Sequence, residues 1–220
     1  MAIGTFLDLP QKFGTAFSRY GGGGGDTGRL APSFNSVSQY GNTGQRLVDV
    51  DNLDGFSFEI YIGDFSNGTI ISQADSSSEN AREFQVFILG DMEVNIGGVR
   101  SDILQSSQFP ASGANLKLSF NASSVDVFID GSLVNTSVYT VGPARQPTVN
   151  TWVFARGDGA GGVGFVKGGL AYNFKVNDGS VYNYPMDDGW ANNPKMRNTG
   201  TGADGTFINM TEAAWVKINV

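Results

Sequence analysis

The chain has 220 residues, a formal net charge of -7 and a pI near 4.5, which excludes nucleic acid and anionic membranes as expected partners. It contains no Cys and no His, so disulfides, thiolate chemistry, the usual general base and the commonest metal ligand are absent. Only 16% of the residues are charged, so the surface must be rich in Ser, Asn, Thr and Gly, which suits glycan binding or packing within an assembly.

No targeting or membrane segment is predicted. No stretch approaches the roughly 18 apolar residues of a membrane-spanning helix. The first residues, MAIGTFLDLPQKFG, lack a basic region followed by an apolar core, so no signal peptide is expected. We therefore expect a protein that is made and used without conventional secretion.

The first 29 residues differ from the rest. Five apolar side chains follow neither a helical nor a strand period, namely those of Phe6, Leu7, Leu9, Phe13 and Phe17. Five consecutive glycines, Gly21 to Gly25, follow them and allow a flexible joint. We predict an extended N-terminal arm and joint over residues 1–29 that binds a neighbouring surface, and one domain over residues 30–220. The alternative, a first edge strand followed by a long loop, remains open.

Alternating apolar and polar residues then predict successive β-strands. The strands of the first half are predicted at residues 33–40, 45–50, 56–62, 69–73, 83–89 and 92–96. Asn67-Gly68 and Gly90-Asp91 are predicted turns, and Gly97-Gly98 is predicted to open a longer loop that extends to Pro110.

Residues 116–134 (LKLSFNASSVDVFIDGSLV) contain the strongest pattern in the chain. Leu116, Leu118 and Phe120 alternate with polar residues, and a second alternation ends at Asp130-Gly131. Asp-Gly between alternating runs indicates a two-residue hairpin turn, because both central residues of that turn need positive φ. Two hairpins in nineteen residues predict an antiparallel sheet.

The second half continues in the same way. Strands are predicted at residues 138–141, 151–155, 170–176 and 181–184, with a glycine-rich loop at 157–164. Strands every 8 to 12 residues with turns between them are typical of a sandwich or jelly roll. We predict an all-β fold, an antiparallel β-sandwich.

Three segments resemble the concanavalin A-like, laminin-G-like jelly roll: residues 56–73 (FSFEIYIGDFSNGTIISQ), 83–96 (EFQVFILGDMEVNI) and 116–134. Residues 167–179 (KGGLAYNFKVNDG) resemble the penultimate strands of that family. The resemblance covers about residues 33 to 184 and implies a jelly-roll sandwich.

A second resemblance concerns the C-terminal tail. Residues 184–190 (YPMDDGW) and 198–209 (NTGTGADGTFIN), up to Trp215, are similar to the ends of jelly-roll modules in tailed-bacteriophage virion proteins. This resemblance implies a virion protein that is made in the host cytoplasm. Its implied partners are other virion subunits, namely the major capsid protein and sister copies.

Enzymatic chemistry is not expected. Glucanases of this fold place two carboxylates on one strand as Glu-x-Asp-x-x-Glu, and the nearest spacing here, Glu79 to Glu83, lacks the central Asp. Serine hydrolase triads and the metal sites of legume-type lectins need a histidine.

Laminin-G-like modules often bind Ca²⁺ through turn aspartates at a loop rim. The predicted turns carry Asp64, Asp75, Asp91, Asp158, Asp187 and Asp188. An aspartate in a turn usually caps its own backbone, so we favour the structural role for each and predict no cofactor.

Aromatic side chains near the tail provide a possible glycan contact. Tyr182 and Tyr184 share one face of a predicted strand, and Trp190 follows. Packing within the sandwich is the favoured role of all three rings, and stacking on sugars is the alternative.

The sequence leaves two classes of function. The first is a non-enzymatic virion structural protein, for which we favour a capsid decoration or cement role with the N-terminal arm making subunit contacts. The second is a glycan-binding receptor-recognition module of a tail fibre, with cell-surface glycans as partners. A groove with exposed aromatic and amide side chains would favour the second.

Overall fold

The computed structural model describes residues 29–74, 84–143, 149–157, 163–187 and 195–218. The arm residues Phe6, Leu7, Leu9, Phe13 and Phe17 lie outside these ranges, so the arm stays a prediction. The described residues contain no helix that is long and apolar enough to cross a membrane.

The described residues form two large antiparallel sheets packed face to face, which confirms the predicted all-β jelly-roll sandwich. The first sheet contains, in spatial order, β10 (Ser132–Val138), β9 (Ser124–Ile129), β8 (Ala114–Phe120), β3 (Ser57–Ile62), β14 (Gly169–Val176), β1 (Arg29–Phe34) and β18 (Trp215–Ile218), with β15 (Tyr182–Tyr184) also paired to β14. The second sheet contains β16 (Lys195–Met196), β17 (Gly205–Ile208), β2 (Tyr40–Asn42), β11 (Trp152–Val153), β4 (Gly68–Gln73), β5 (Phe84–Leu89), β6 (Asp91–Ile96) and β7 (Val99–Leu104). A short hairpin pairs β12 (Arg156–Gly157) with β13 (Val163–Gly164).

The core is formed by the inward face of each sheet, as the alternation predicts. In β8, Leu116, Leu118 and Phe120 are fully buried while Lys117 and Ser119 point outward. Burying each of these apolar side chains contributes about 1.5–3 kcal/mol. At Asp130-Gly131 the backbone has φ values of 48° and 80°, which is the predicted tight turn.

Three phenylalanine rings tie the two sheets together. Phe84 comes from the second sheet and Phe120 from the first, and Phe56 immediately precedes β3. Their ring centroids lie 5.6 to 5.8 Å apart, in tilted or edge-to-face arrangements. Such pairs add about 0.5–1.5 kcal/mol beyond the area that they bury.

The predicted strand at 33–40 is wrong in its centre, because Asn35 holds a loop there. The Asn35 side-chain oxygen accepts hydrogen bonds from the backbone N–H groups of Val37, Ser38 and Gln39 at 3.1, 2.9 and 3.1 Å. These groups are therefore not available to a neighbouring strand, and the strand pairing resumes only at Tyr40.

The predicted strand at 45–50 is also wrong. The backbone N–H groups of Leu47 and Val48 donate to the Gln73 side-chain oxygen at 2.8 and 3.0 Å instead of to another strand. An apolar run thus looks like a strand while its backbone is bound by one buried amide side chain.

Four further boundaries differ from the prediction. The predicted loop after Gly97-Gly98 contains β7, which pairs antiparallel with β6. The strand predicted at 138–141 is wrong, because β10 ends at Val138. The strand predicted at 151–155 is reduced to β11, and the two ends of the predicted glycine-rich loop at 157–164 pair as β12 and β13.

Candidate functional site

A continuous row of outward side chains crosses the second sheet. Successive cross-strand pairs place the row in the order Lys195, Thr206, Asn42, Trp152, Ser72, Gln85, Asn95 and Arg100. Each of these side chains is polar except the Trp152 indole, which is half-buried. Hydrogen-bonding groups therefore line the outer side of this sheet along its full width, and Ser72, Gln85 and Asn95 among them are buried.

Amide, guanidinium and carboxylate side chains are concentrated on the three strands β5, β6 and β7. Two neighbouring rows on these strands form the β5–β7 array, whose members are Gln85, Asn95 and Arg100 in one row and Phe87, Glu93 and Asp102 in the other. The sequence places them on one face because they alternate with the core residues Phe84, Val86, Ile88 and Val94.

Solvent exposure differs across the array. Gln85 and Asn95 are buried, Glu93 is half-buried, and Arg100 and Asp102 are exposed. Exposure thus increases toward β7, which is the edge strand of the second sheet. That edge is not bare, because Asn135 Nδ2 of β10 donates to the Ile103 carbonyl of β7 at 2.8 Å.

The two buried amides of the array each keep one polar atom without a hydrogen-bond partner among the described residues, Gln85 Oε1 and Asn95 Nδ2. Their other amide atoms are bonded: Gln85 Nε2 donates to Thr69 Oγ1 at 2.9 Å, and Asn95 Oδ1 accepts from the Gly98 N–H at 3.1 Å. Buried polar groups normally find partners. One acceptor and one donor on directly paired residues match a hydroxyl group, which donates one hydrogen bond and accepts others.

Charges lie next to these amides. Burial raises the pKa of the Glu93 carboxyl, the Arg100 guanidinium opposes that rise, and the carboxylates of Asp102 and Asp91 add to it. The Arg100 guanidinium also lies over the Phe87 ring, 5.3 Å from its centroid.

The β12–β13 hairpin packs beside the array. The Phe165 ring, which follows β13, meets the Phe87 ring edge to face at 5.8 Å, and the Arg156 guanidinium lies 5.9 Å from the Phe165 centroid. Ser72 Oγ donates to the Ala155 carbonyl at 2.7 Å. These contacts attach the hairpin to the outer face of the second sheet and give the array one wall.

At the rim of the sandwich, the calcium candidate Asp64 binds an ammonium group of the chain itself. Lys167 Nζ lies 2.8 Å from Asp64 Oδ1, 3.0 Å from Ser66 Oγ and 3.3 Å from the Gly168 carbonyl. Burial lowers the pKa of Lys167, and the hydrogen bond and charge of Asp64 oppose that effect. Burial also acts to raise the pKa of Asp64, but hydrogen bonds from Lys167 and Ser66 hold it below its usual value.

The other calcium candidates within the described ranges also have partners in the protein. Asp187 forms an ion pair with Arg29 at 2.9 Å, and Asp91 accepts the Ser106 N–H at 2.8 Å. No three acidic side chains of the described residues cluster as a metal site. Asp75, Asp158 and Asp188 lie outside the described residues, as do Glu79 and Glu83.

Of the candidate glycan contacts in the tail, Tyr184 is a core residue and Tyr182 is half-buried. Tyr184 is fully buried, stacks on Phe174 at 5.9 Å, and donates its hydroxyl to the Ala203 carbonyl at 3.2 Å. Tyr182 lies on the same face and stacks on Tyr184 at 6.5 Å. The ring of Tyr184 therefore has no free face for a sugar, while Trp190 lies outside the described residues.

The array was not predicted from the sequence, because residues 99–104 were assigned to a loop. One signal could have found β7: Gly-Gly between Ile96 and Val99 is a two-residue hairpin turn between apolar residues. Arg100 and Asp102 then fall on the face of Asn95 and Glu93.

Comparison with known proteins identifies no family. No family model matches the chain, and no curated protein matches it. Among solved structures, sheep galectin-11 in complex with glycerol is similar with a TM-score of 0.34 and 13% sequence identity, over 66% of this chain and 97% of the galectin chain. A similarity of this degree assigns no function to the chain.

Proposed function

We propose that this protein is a non-catalytic glycan-binding module and that its binding site is the β5–β7 array. The observation that carries the proposal is the pair of unpartnered amide atoms, Gln85 Oε1 and Asn95 Nδ2, on directly paired residues. A sugar hydroxyl is a donor and an acceptor at once, and it satisfies both atoms.

The remaining array residues supply the other groups that sugars need. The Arg100 guanidinium donates hydrogen bonds, and the carboxylates of Glu93 and Asp102 accept them from further hydroxyls. Arg100 and Asp102 are exposed at the β7 edge, where a glycan chain can contact them. The two amide atoms are closed to solvent, so a hydroxyl reaches them only when the groups that cover them are displaced.

The non-catalytic part of the proposal follows from the residue types. The chain has no histidine and no Glu-x-Asp-x-x-Glu spacing. Glu93 and Asp102 do face each other across β6 and β7, so release of reducing sugar from bound oligosaccharides would contradict this part.

Screening on a glycan array followed by calorimetric titration of the hits tests the proposal. Asn95→Ala and Arg100→Ala should each weaken binding about tenfold or more, since each removes a hydrogen-bond donor from the site. Asn115→Ala is the matched control, because Asn115 is a half-buried amide on the outer face of the first sheet. The proposal fails if the chain binds no glycan, or if the Asn115 variant loses as much affinity as the Asn95 variant.

We propose a role in virion assembly as the second candidate, with the chain as a bacteriophage capsid decoration protein that binds sister copies and the major capsid protein. One observation besides the tail resemblance supports it. The edge strand β10 (Ser132–Val138) carries no charge and no Pro, the usual protections of an exposed edge, and Leu133 and Val138 are 57% and 76% exposed.

Two variants test the assembly role in solution and on particles. Leu133→Lys with Val138→Lys places charges on the β10 edge and should abolish self-association measured by sedimentation. Deleting residues 1–25 should leave a folded protein that no longer joins particles, if the arm binds neighbouring subunits. A wild-type chain that is monomeric at all concentrations and absent from purified particles would contradict this candidate.

A further inference from the structure

A pair of carboxylates lies one row from the unpartnered amides. Glu93 and Asp102 are directly opposite each other on β6 and β7, and Asp91 lies two residues before Glu93 on the same side of β6. Two guanidinium groups lie nearby, Arg100 over Phe87 and Arg156 over Phe165. The facing carboxylates of Glu93 and Asp102 thus lie beside the amides together with Arg100, in a chain of net charge -7.

We propose that the β5–β7 array selects uncharged glycans and that Glu93 and Asp102 exclude anionic ones. This inference rests on the glycan-binding function proposed above. A sialic acid, uronic acid or sulphated sugar would bring its negative charge beside two facing carboxylates on β6 and β7. Exposed charges act over about 8 Å at physiological salt, so this local pair matters more than the net charge of the chain.

The buried amide pair also favours uncharged sugars over anionic ones. A hydroxyl satisfies both Gln85 Oε1 and Asn95 Nδ2, whereas a carboxylate or sulphate oxygen only accepts hydrogen bonds. An anion placed there would bind Asn95 Nδ2 and leave Gln85 Oε1 without a donor. Discrimination by an unpaired buried polar group is among the strongest that binding sites achieve.

Matched glycan pairs test the selection: neutral oligosaccharides and their sialylated, uronate-bearing and sulphated counterparts, measured with the full chain. The wild type should bind the anionic member of each pair at least about tenfold more weakly than the neutral member. Asp102→Asn and Glu93→Gln should each reduce the ratio of neutral to anionic affinity, mainly by strengthening the binding of the anionic glycans. Asp126→Asn, a carboxylate change on the outer face of the first sheet, should leave the ratio unchanged.

The outcomes separate this inference from the proposed function. Equal or tighter binding of the anionic members, lost in Asn95→Ala, would retain the glycan site and overturn its selectivity. A ratio that Asp102→Asn and Glu93→Gln both leave unchanged would also overturn it. Absence of binding to every member would overturn both proposals. Thermal unfolding of each variant establishes that a change in the ratio comes from a folded protein.

Discussion

Lys167 Nζ and Asp64 Oδ1 lie 2.8 Å apart, and they join the loop after β3 to the segment before β14. The lysine side chain is 1% exposed and the aspartate side chain 46% exposed, so the cation is buried and its counter-ion faces water. Ser66 Oγ and the Gly168 carbonyl complete the set of three acceptors for the three ammonium hydrogens. The two segments at the rim of the sandwich are thus joined by the buried Lys167 ammonium, and Asp64 is its counter-ion.

This arrangement predicts that replacing Asp64 lowers the stability of the fold more than replacing Lys167 does. Asp64→Asn leaves the buried ammonium without its carboxylate and should cost about 2 kcal/mol, less than the 3–5 kcal/mol of a fully buried pair because water reaches Asp64. Lys167→Met replaces the cation by an apolar chain of similar length and should cost within about 1 kcal/mol. Urea unfolding measures both.

The double variant provides the control for this pair. Asp64→Asn should cost little in the Lys167→Met background, because no buried charge remains to be left alone. Equal losses from the two single changes, additive in the double variant, would contradict a charge-driven role of Asp64.

Glu93 predicts a pH dependence of stability. Its folded-state pKa is raised above the ordinary 4.5, chiefly by burial, so folding favours the protonated form. The contribution of Glu93 to stability is therefore present below about pH 4.5 and is lost as pH rises through the raised value. Glu93→Gln, which is neutral throughout, should melt about 1–2 °C above the wild type at pH 7, since the charge is partly screened by solvent.

Comparing the melting temperatures of the wild type and Glu93→Gln at pH 3 provides the control. Both side chains are then uncharged, and the two melting temperatures should converge. A difference that is independent of pH would mean that Glu93→Gln acts through packing or hydrogen bonding and not through charge.

Much of the fold is predictable from the sequence because its strands keep a strict period of two. The segments of β3, β8 and β9 alternate without interruption, and their inward residues are buried as predicted. Prediction failed where a side chain competes for the backbone. Asn35 and Gln73 bind N–H groups that apolar patterning assigns to strands, and no pattern of hydrophobicity reveals such a bond.

The candidate site was not predictable in the same way. Ser101 occupies an inward position of β7, so the apolar alternation of that strand is broken and its outward residues Arg100 and Asp102 could not be placed. For Tyr182 and Tyr184 the period identified a shared face, but it does not determine which face of the sheet is inward. The register with β14 places Tyr184 opposite the core residue Phe174.

The burial of Tyr184 predicts that its hydroxyl serves packing only. Tyr184→Phe removes one hydrogen bond, to the Ala203 carbonyl, and should cost about 1 kcal/mol in urea unfolding. Affinity for any glycan identified by array screening should not change, because the ring belongs to the core and lies outside the β5–β7 array. A loss of glycan affinity greater than the loss of stability explains would restore Tyr184 as a contact.

Because one amide atom of Gln85 is unpartnered, we expect that replacing this residue maintains or increases stability and removes glycan binding. Gln85→Met keeps the length of the side chain, and removes a buried oxygen that has no donor among the described residues. It also removes the hydrogen bond from Gln85 Nε2 to Thr69 Oγ1, which is worth about 1 kcal/mol, while the buried unpaired oxygen costs about 1–3 kcal/mol. The variant should therefore unfold at or above the wild-type urea concentration and lose glycan binding.

Ser72→Ala is the matched control, because Ser72 neighbours Gln85 in the same row and its hydroxyl is bonded, at 2.7 Å, to the Ala155 carbonyl. Ser72→Ala removes this hydrogen bond, leaves the buried Ala155 carbonyl without its donor, and should lower the free energy of unfolding by about 1–2 kcal/mol. A stabilised variant without binding identifies Gln85 as a residue kept for its ligand. A Gln85→Met protein that is strongly destabilised, or that binds glycans as the wild type does, would instead show that Gln85 serves the fold.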